Sequence, residues 1–382
     1  MEIKIKIIKK CLNKKIYQKS FSFLKVYKLQ LTQIKVNYMN PLTGILLIAL
    51  GSIGAASFYV PFKKVKLWAW ESYWIVQGVA AWLIAPWLLA YFAVPDGNLL
   101  QVLAEAPLKA KLLAMFFGAL WGVGGLTFGL SIRYLGVALG QSIALGFCAA
   151  FGTLIPPIVA GGELFTTMAG VLTIIGVIIC IVGIAIIGYA GSLKNKGLSD
   201  EDRRKAIKEF ALKKGLIIAV FAGVMSACFS FGLEAGKPIG DLAIGEKFKT
   251  NALFHDNPIL IFILFGGFVT NLVYCLYLNI KNGTIRDYVT GGGGVILNNI
   301  LFTFLAGFLW FMQFQFFGMG KSKLPDSMIP FAWSILMALN IAFSNIWGIL
   351  LNEWKGVNRK TLIILWTGIL VLILSTFIVK LG

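Results

Sequence analysis

Histidine is all but missing from this sequence: His255 is the only one in 382 residues. Without it go the hydrolytic and metal-dependent chemistries that set His beside Ser, Asp, Cys or a second His. Charge is scarce as well, at 13% of residues, against 58% hydrophobic and 14% aromatic. A soluble domain is about half apolar and a quarter charged. No soluble fold buries this much, so the solvent must be lipid. Cys occurs at 11, 148, 180, 228 and 275, four of them in apolar runs and none at ligand-like or redox-like spacing. They read as small hydrophobes, and neither disulfide, metal nor other cofactor is expected. There is no His-Glu-x-x-His, no Asp-rich metal loop and no Gly-Lys-Ser/Thr phosphate loop. Gly291-Gly-Gly-Gly294 lacks the context of one. The chain is not expected to be an enzyme.

What is present in excess is positive charge, formally +19. Ten Lys and one Glu place +9 of it in the first 38 residues, and the other +10 is scattered over short loops. Scattered loop cations suit cytoplasmic anchoring rather than a nucleic-acid partner. Segment 1–38 carries Lys too often to span a bilayer and has neither the apolar core nor the cleavage site of a signal peptide. It reads as a basic N-terminal extension. Either it is a surface-binding or targeting arm, or translation of the native protein starts at Met39, just before Asn40-Pro41; the second is the simpler reading.

From there, apolar runs of spanning length fall at about 41–60, 74–94, 110–130, 136–159, 168–190, 214–234, 258–280, 294–317, 328–351 and 361–380. Ten spans put alternate loops on opposite sides. One side collects seventeen Lys and Arg, among them Lys63, Lys64, Lys66, Arg203, Arg204 and Arg359, and the other eight, with 1–38 set aside. The first side is therefore cytoplasmic. The longest loop carries mixed charges (Asp200 to Glu209) and divides the chain. The expected organisation is a first five-helix repeat over 39–190, a cytoplasmic linker over 191–213 and a second repeat over 214–382. Five is odd, so such repeats would be inverted. The fold class is an all-α membrane protein with ten transmembrane helices as two inverted five-helix repeats, a transporter plan. Ala56-Ser57-Phe58 in the first span is echoed by Ala227-Cys228-Phe229 in the sixth.

Polar side chains inside apolar spans are costly and raise a functional expectation. Gln77, Gln141, Asn271, Asn298, Asn299, Gln313, Gln315, Asn340 and Asn345 are neutral donors and acceptors, suited to a sugar's hydroxyls. Trp121, Trp310 and Trp347 could stack on its apolar face. Each amide taken singly is more simply glue between helices; the set suggests a lined cavity. Glu71 and Glu234 are the candidate proton carriers, although Glu71 could pair with Lys64 or Lys66, and Glu234 with Lys237 at i+3.

The most specific stretch runs from Gly54-Ala-Ala through Tyr59, Pro61-Phe-Lys-Lys-Val-Lys66, Trp68, Trp70-Glu71 and Trp74. With Phe117-Gly-Ala, Trp121-Gly122, Arg133-Tyr-Leu-Gly136, Leu212-Lys-Lys-Gly215, Lys237-Pro238, Asn299, Trp310, Gln313-Phe314 and Glu353-Trp354, it makes the chain from about Gly44 onward resemble the L-rhamnose–proton symporter family, within the drug/metabolite transporter superfamily. The resemblance implies ten helices, uptake of L-rhamnose or a related deoxyhexose, and symport with a proton, at a bacterial inner membrane. It departs from the family pattern at Gly125 and Glu234, where Asn is usual, and at Gln141, where an apolar residue is. The exact sugar and the coupling ion, proton or sodium, follow less directly. The expected substrate contacts are Gln77, Trp121, Gln141, Asn299, Trp310 and Gln313. A transporter of another metabolite and a membrane sugar sensor are the alternatives; a sensor would need a signalling domain or long cytoplasmic tail.

Overall fold

The computed structural model describes residues 40–135, 137–159, 161, 166–196, 212–351 and 354–378. Segment 1–38 and most of the expected linker lie outside the described residues. Among the described residues every regular element is helical. Ten helices are long and apolar enough to cross a membrane. They are α1 (Pro41–Phe62), α2 (Trp70–Ala93), α3 (Leu108–Ser131), α4 (Ser142–Val159), α5 (Met168–Lys194), α6 (Lys213–Ile244), α7 (Ala252–Asn282), α8 (Gly292–Lys321), α9 (Ile329–Leu350) and α10 (Arg359–Ile378).

Local chemistry sets several of these boundaries. Asn40 accepts from the Thr43 N–H at 3.2 Å and Pro41 follows at the first helical position, a capped start. In α2, Pro86 has no N–H to return to the Trp82 carbonyl. The turn before it widens into a π-helical segment, Val79–Ile84, in which the Ala85 N–H reaches the Ala80 carbonyl. Helix α6 differs from the sequence expectation, which ended it at 234 where the apolar run stops. It continues through Lys237 and Pro238 to Ile244. The reason is that Glu234 and Lys237 line a cavity, not lipid, so their charge carries no penalty there.

The outward face of α1, Leu42, Leu46, Leu50 and Ile53, is exposed, and lipid accepts it because lipid tails are as apolar as Leu. Close helix contact is made instead by small residues. A Cβ on Gly118 of α3 would lie 2.0 Å from the Ile263 carbonyl oxygen of α7, and one on Gly266 would lie 2.0 Å from that of Met115. Helix α1 packs on α8 and α9 as α6 packs on α3 and α4, and α2 packs on α8 as α7 packs on α3. Contacts α2 with α7, α4 with α9 and α5 with α10 join the two halves.

Candidate functional site

Three indoles meet where α2, α3 and α8 converge. Trp82 lies with its ring centroid 6.0 Å from Trp121 and 5.7 Å from Trp310, and Trp121 and Trp310 are 5.6 Å apart. The widened turn of α2 turns Trp82 back over its own helix, against Gly78, where a Cβ would come 2.6 Å from the ring. From this triad the aromatic packing runs to both ends of the bundle. Phe314 lies 5.0 Å from Trp310 and stacks on Phe229 at 3.9 Å, and Phe229 stacks on Trp333 at 5.7 Å. In the other direction Trp82 is 6.0 Å from Trp74, which stacks on Trp70 at 5.3 Å.

Polar groups within the spans divide into two kinds. Some are fully engaged within the bundle. Asn271 accepts from Trp74 Nε1 at 3.0 Å and donates to the Gly267 carbonyl, Ser57 accepts from Trp347 Nε1 at 2.9 Å, and Asn345 donates to the Ile341 carbonyl. Others are not. Gln77 is completely buried, and neither its amide nitrogen nor its amide oxygen has a partner. Trp82 Nε1, Gln315 Oε1 and Asn340 Oδ1 are buried and unpartnered as well. Gln313 donates to the Trp310 carbonyl at 3.1 Å and accepts from Asn340 Nδ2 at 3.3 Å, which joins α8 to α9. A buried polar group without a partner costs about 1–3 kcal/mol, so these groups are kept at the expense of stability. A ligand rich in hydroxyls, each both donor and acceptor, is the chemistry that satisfies such groups.

Trp333 and Phe317 floor a cavity of about 450 Å³ at the less basic end of the bundle, walled by α4, α6, α7, α8 and α9. Glu234 is exposed in it and, among the described residues, makes no ion pair; the alternative pairing with Lys237 at i+3 is not formed.

The basic end holds the remaining candidates. Asn299 was expected to touch substrate, but its amide is spent on the loop after α1. Its Oδ1 accepts from the Lys66 N–H at 2.9 Å and its Nδ2 donates to the Lys66 carbonyl at 2.7 Å. Eleven residues separate it from Trp310, about 16 Å along the helix. Glu71 is buried and pairs with neither Lys64 nor Lys66. It accepts from Asn282 Nδ2 at 2.9 Å and from the Thr284 hydroxyl at 2.8 Å. Asp287 accepts from the Ala69 N–H and the Ser72 hydroxyl, each at 2.7 Å, and Asn279 accepts from the Tyr288 hydroxyl at 2.9 Å. Burial pushes the Tyr288 phenol above its ordinary value, so it remains a donor. Together these bonds tie the α1–α2 loop to the α7–α8 loop. Asn299→Ala removes the two that hold the Lys66 backbone and so loosens the loop. Trypsin should then cut at Lys63, Lys64 and Lys66 faster, with sugar affinity of the folded fraction unchanged; the converse pattern would return Asn299 to the substrate. Gln141 lies on the helical segment preceding α4, and its side chain is outside the described residues.

Trp82 was not singled out in the sequence, because it sits inside an uninterrupted apolar run. Two signals could have found it and its neighbours. One is Pro86, four residues on, which forces the widened turn. The other is a repeated pattern, Gly118-Ala-Leu-Trp121 in α3 and Gly307-Phe-Leu-Trp310 in α8. Each glycine faces a neighbouring backbone carbonyl, Ile263 at 2.0 Å and Gln77 at 2.7 Å from a notional Cβ. Each tryptophan three residues later points to the centre.

Comparison with known proteins places these features in context. Residues 38–382 match the family model described as L-rhamnose-proton symport protein (RhaT). The L-rhamnose-proton symporter of Yersinia pestis (strain Pestoides F) is 37% identical over 343 residues, which is 89% of this chain and 97% of that protein. The L-rhamnose-proton symporter of Yersinia pseudotuberculosis serotype O:1b (strain IP 31758) matches to the same extent.

Proposed function

The chain belongs to the L-rhamnose–proton symport family, and from that premise we propose that it imports L-rhamnose together with a proton by alternating access. It is a multi-pass membrane protein and, as its family is, a transporter rather than an enzyme. The observations that carry the site assignment are the meeting of Trp82, Trp121 and Trp310 and the unpartnered amide of Gln77 on the same helix as Trp82. A 6-deoxyhexose has one apolar face and a methyl group for the indoles, and hydroxyls that both donate and accept for Gln77, Gln313 and Asn340.

The interchange of α1 with α6, α2 with α7, α3 with α8, α4 with α9 and α5 with α10 leaves the main helix pairings unchanged. That, with the repeated Gly-x-Leu-Trp, supports the reading of two inverted five-helix repeats, with substrate between them. Glu234 stands open to the cavity, on the path by which protons enter from that side; Glu71 belongs to the closure of the basic end. Trp310→Ala should lower sugar affinity roughly tenfold, about 1.4 kcal/mol, with Trp310→Phe intermediate. Counterflow of labelled L-rhamnose in proteoliposomes reads this directly. Equal affinity in all three proteins would take the sugar away from the triad.

A further inference from the structure

The single histidine is held between two carboxylates in the wall of the outer cavity. Its Nδ1 is 2.8 Å from Asp256 Oδ1 and its Nε2 is 3.0 Å from Asp241 Oδ1. Asp256 is almost wholly buried, and its second oxygen lies 2.6 Å from Lys321 Nζ. The array therefore crosses three helices, Asp241 on α6, His255 and Asp256 on α7, and Lys321 on α8. The helices leave room for it. A Cβ on Gly240 would come within 2.6 Å of the His255 ring, and one on Gly318 within 3.3 Å of Asp256 Oδ2.

A neutral imidazole has one N–H and one lone pair, whereas a carboxylate only accepts. A ring with a carboxylate on each nitrogen therefore needs one more proton than neutral His supplies, on the ring or on an Asp. With that proton the four groups sum to zero charge; without it they carry −1, partly buried. Among the described residues the other charged groups facing the cavity are Glu234 and Lys237 of α6, while the described linings from α4 and α9 carry none. We infer that the Asp241–His255–Asp256–Lys321 array is the site where the transported proton is loaded from the outer side.

The inference rests on the proton-coupled reading above and deepens it. Proton and sugar binding are reciprocally linked: if the proton favours sugar binding, sugar must favour the protonated array by the same factor. Because the chain has one His, the wild-type protein can be read without mutation. ¹⁵N-histidine-labelled protein, purified on a tag free of histidine, is titrated by NMR with and without saturating L-rhamnose. Sugar binding is followed separately by tryptophan emission. The expected result is one imidazole signal whose titration midpoint rises by about one pH unit with sugar, matching an affinity about tenfold tighter below the midpoint than above it. Binding without any change of midpoint overturns the inference and leaves the transport reading standing. Absence of binding overturns the L-rhamnose reading, and the inference falls with it. His255→Gln should keep counterflow and lose accumulation driven by a pH gradient; full accumulation in that variant also overturns the inference.

Discussion

Gly118→Ala should abolish recovery of folded protein, whereas Gly125→Ala, two turns further along the same helix, should pass unnoticed. At Gly118 an added Cβ would sit 2.0 Å from the Ile263 oxygen, 2.7 Å from its carbon and 2.9 Å from its Cα. All three are backbone atoms and cannot rotate away. Gly266 makes the reciprocal approach to Met115, so α3 and α7 would have to separate along their whole contact. In lipid there is no hydrophobic drive to close that gap again, only packing lost at every neighbouring atom. The expected loss exceeds about 4 kcal/mol, the range that unfolds an ordinary protein. At Gly125 a Cβ meets nothing within 4 Å. Size-exclusion profiles of the two detergent-solubilised variants test this. A sharp peak for Gly118→Ala would mean the helices are not in contact there.

Gln77→Leu should make the protein more stable and transport worse. The native side chain is buried with both amide atoms unpartnered. Replacing it by an apolar residue of similar size removes a penalty of about 1–3 kcal/mol. The melting temperature in the absence of sugar should therefore rise. With sugar present, the wild-type protein regains those hydrogen bonds and the variant does not, so stabilisation by L-rhamnose should be reduced and its affinity should fall at least tenfold. Opposite signs of this kind mark a group kept for its ligand rather than for the fold. A destabilised variant with unaltered affinity would make Gln77 an ordinary structural residue.

The spans were legible because a bilayer demands about 20 apolar residues in a row, and ten such runs stand out between polar breaks. Their ends were not always legible, because a charge at a helix end and a charge facing an aqueous cavity look alike in sequence. Glu234 is the second kind, and α6 continues ten residues past it. The amides were recognisable as a set but could not be sorted. What separates Gln77 from Asn299 is whether a partner is in reach, and the partner of Asn299 is the backbone of Lys66, 233 residues away. The setting of His255 was hidden for the same reason: Asp241 reaches it only through the packing of α6 on α7. Trp82 depended on the turn that Pro86 imposes. Glycine was the least legible of all, since Gly118 and Gly125 differ only in what lies opposite.

The central claim is that this chain couples a sugar to a proton, and proteoliposomes holding the purified wild-type protein test it most directly. Labelled L-rhamnose is offered outside under an imposed inward proton gradient, under an inward sodium gradient and under none. Uptake above the external concentration should occur with the proton gradient alone, accompanied by alkalinisation of the medium when sugar is added. Accumulation driven by sodium, or equilibration to the same level under all three conditions, would contradict it.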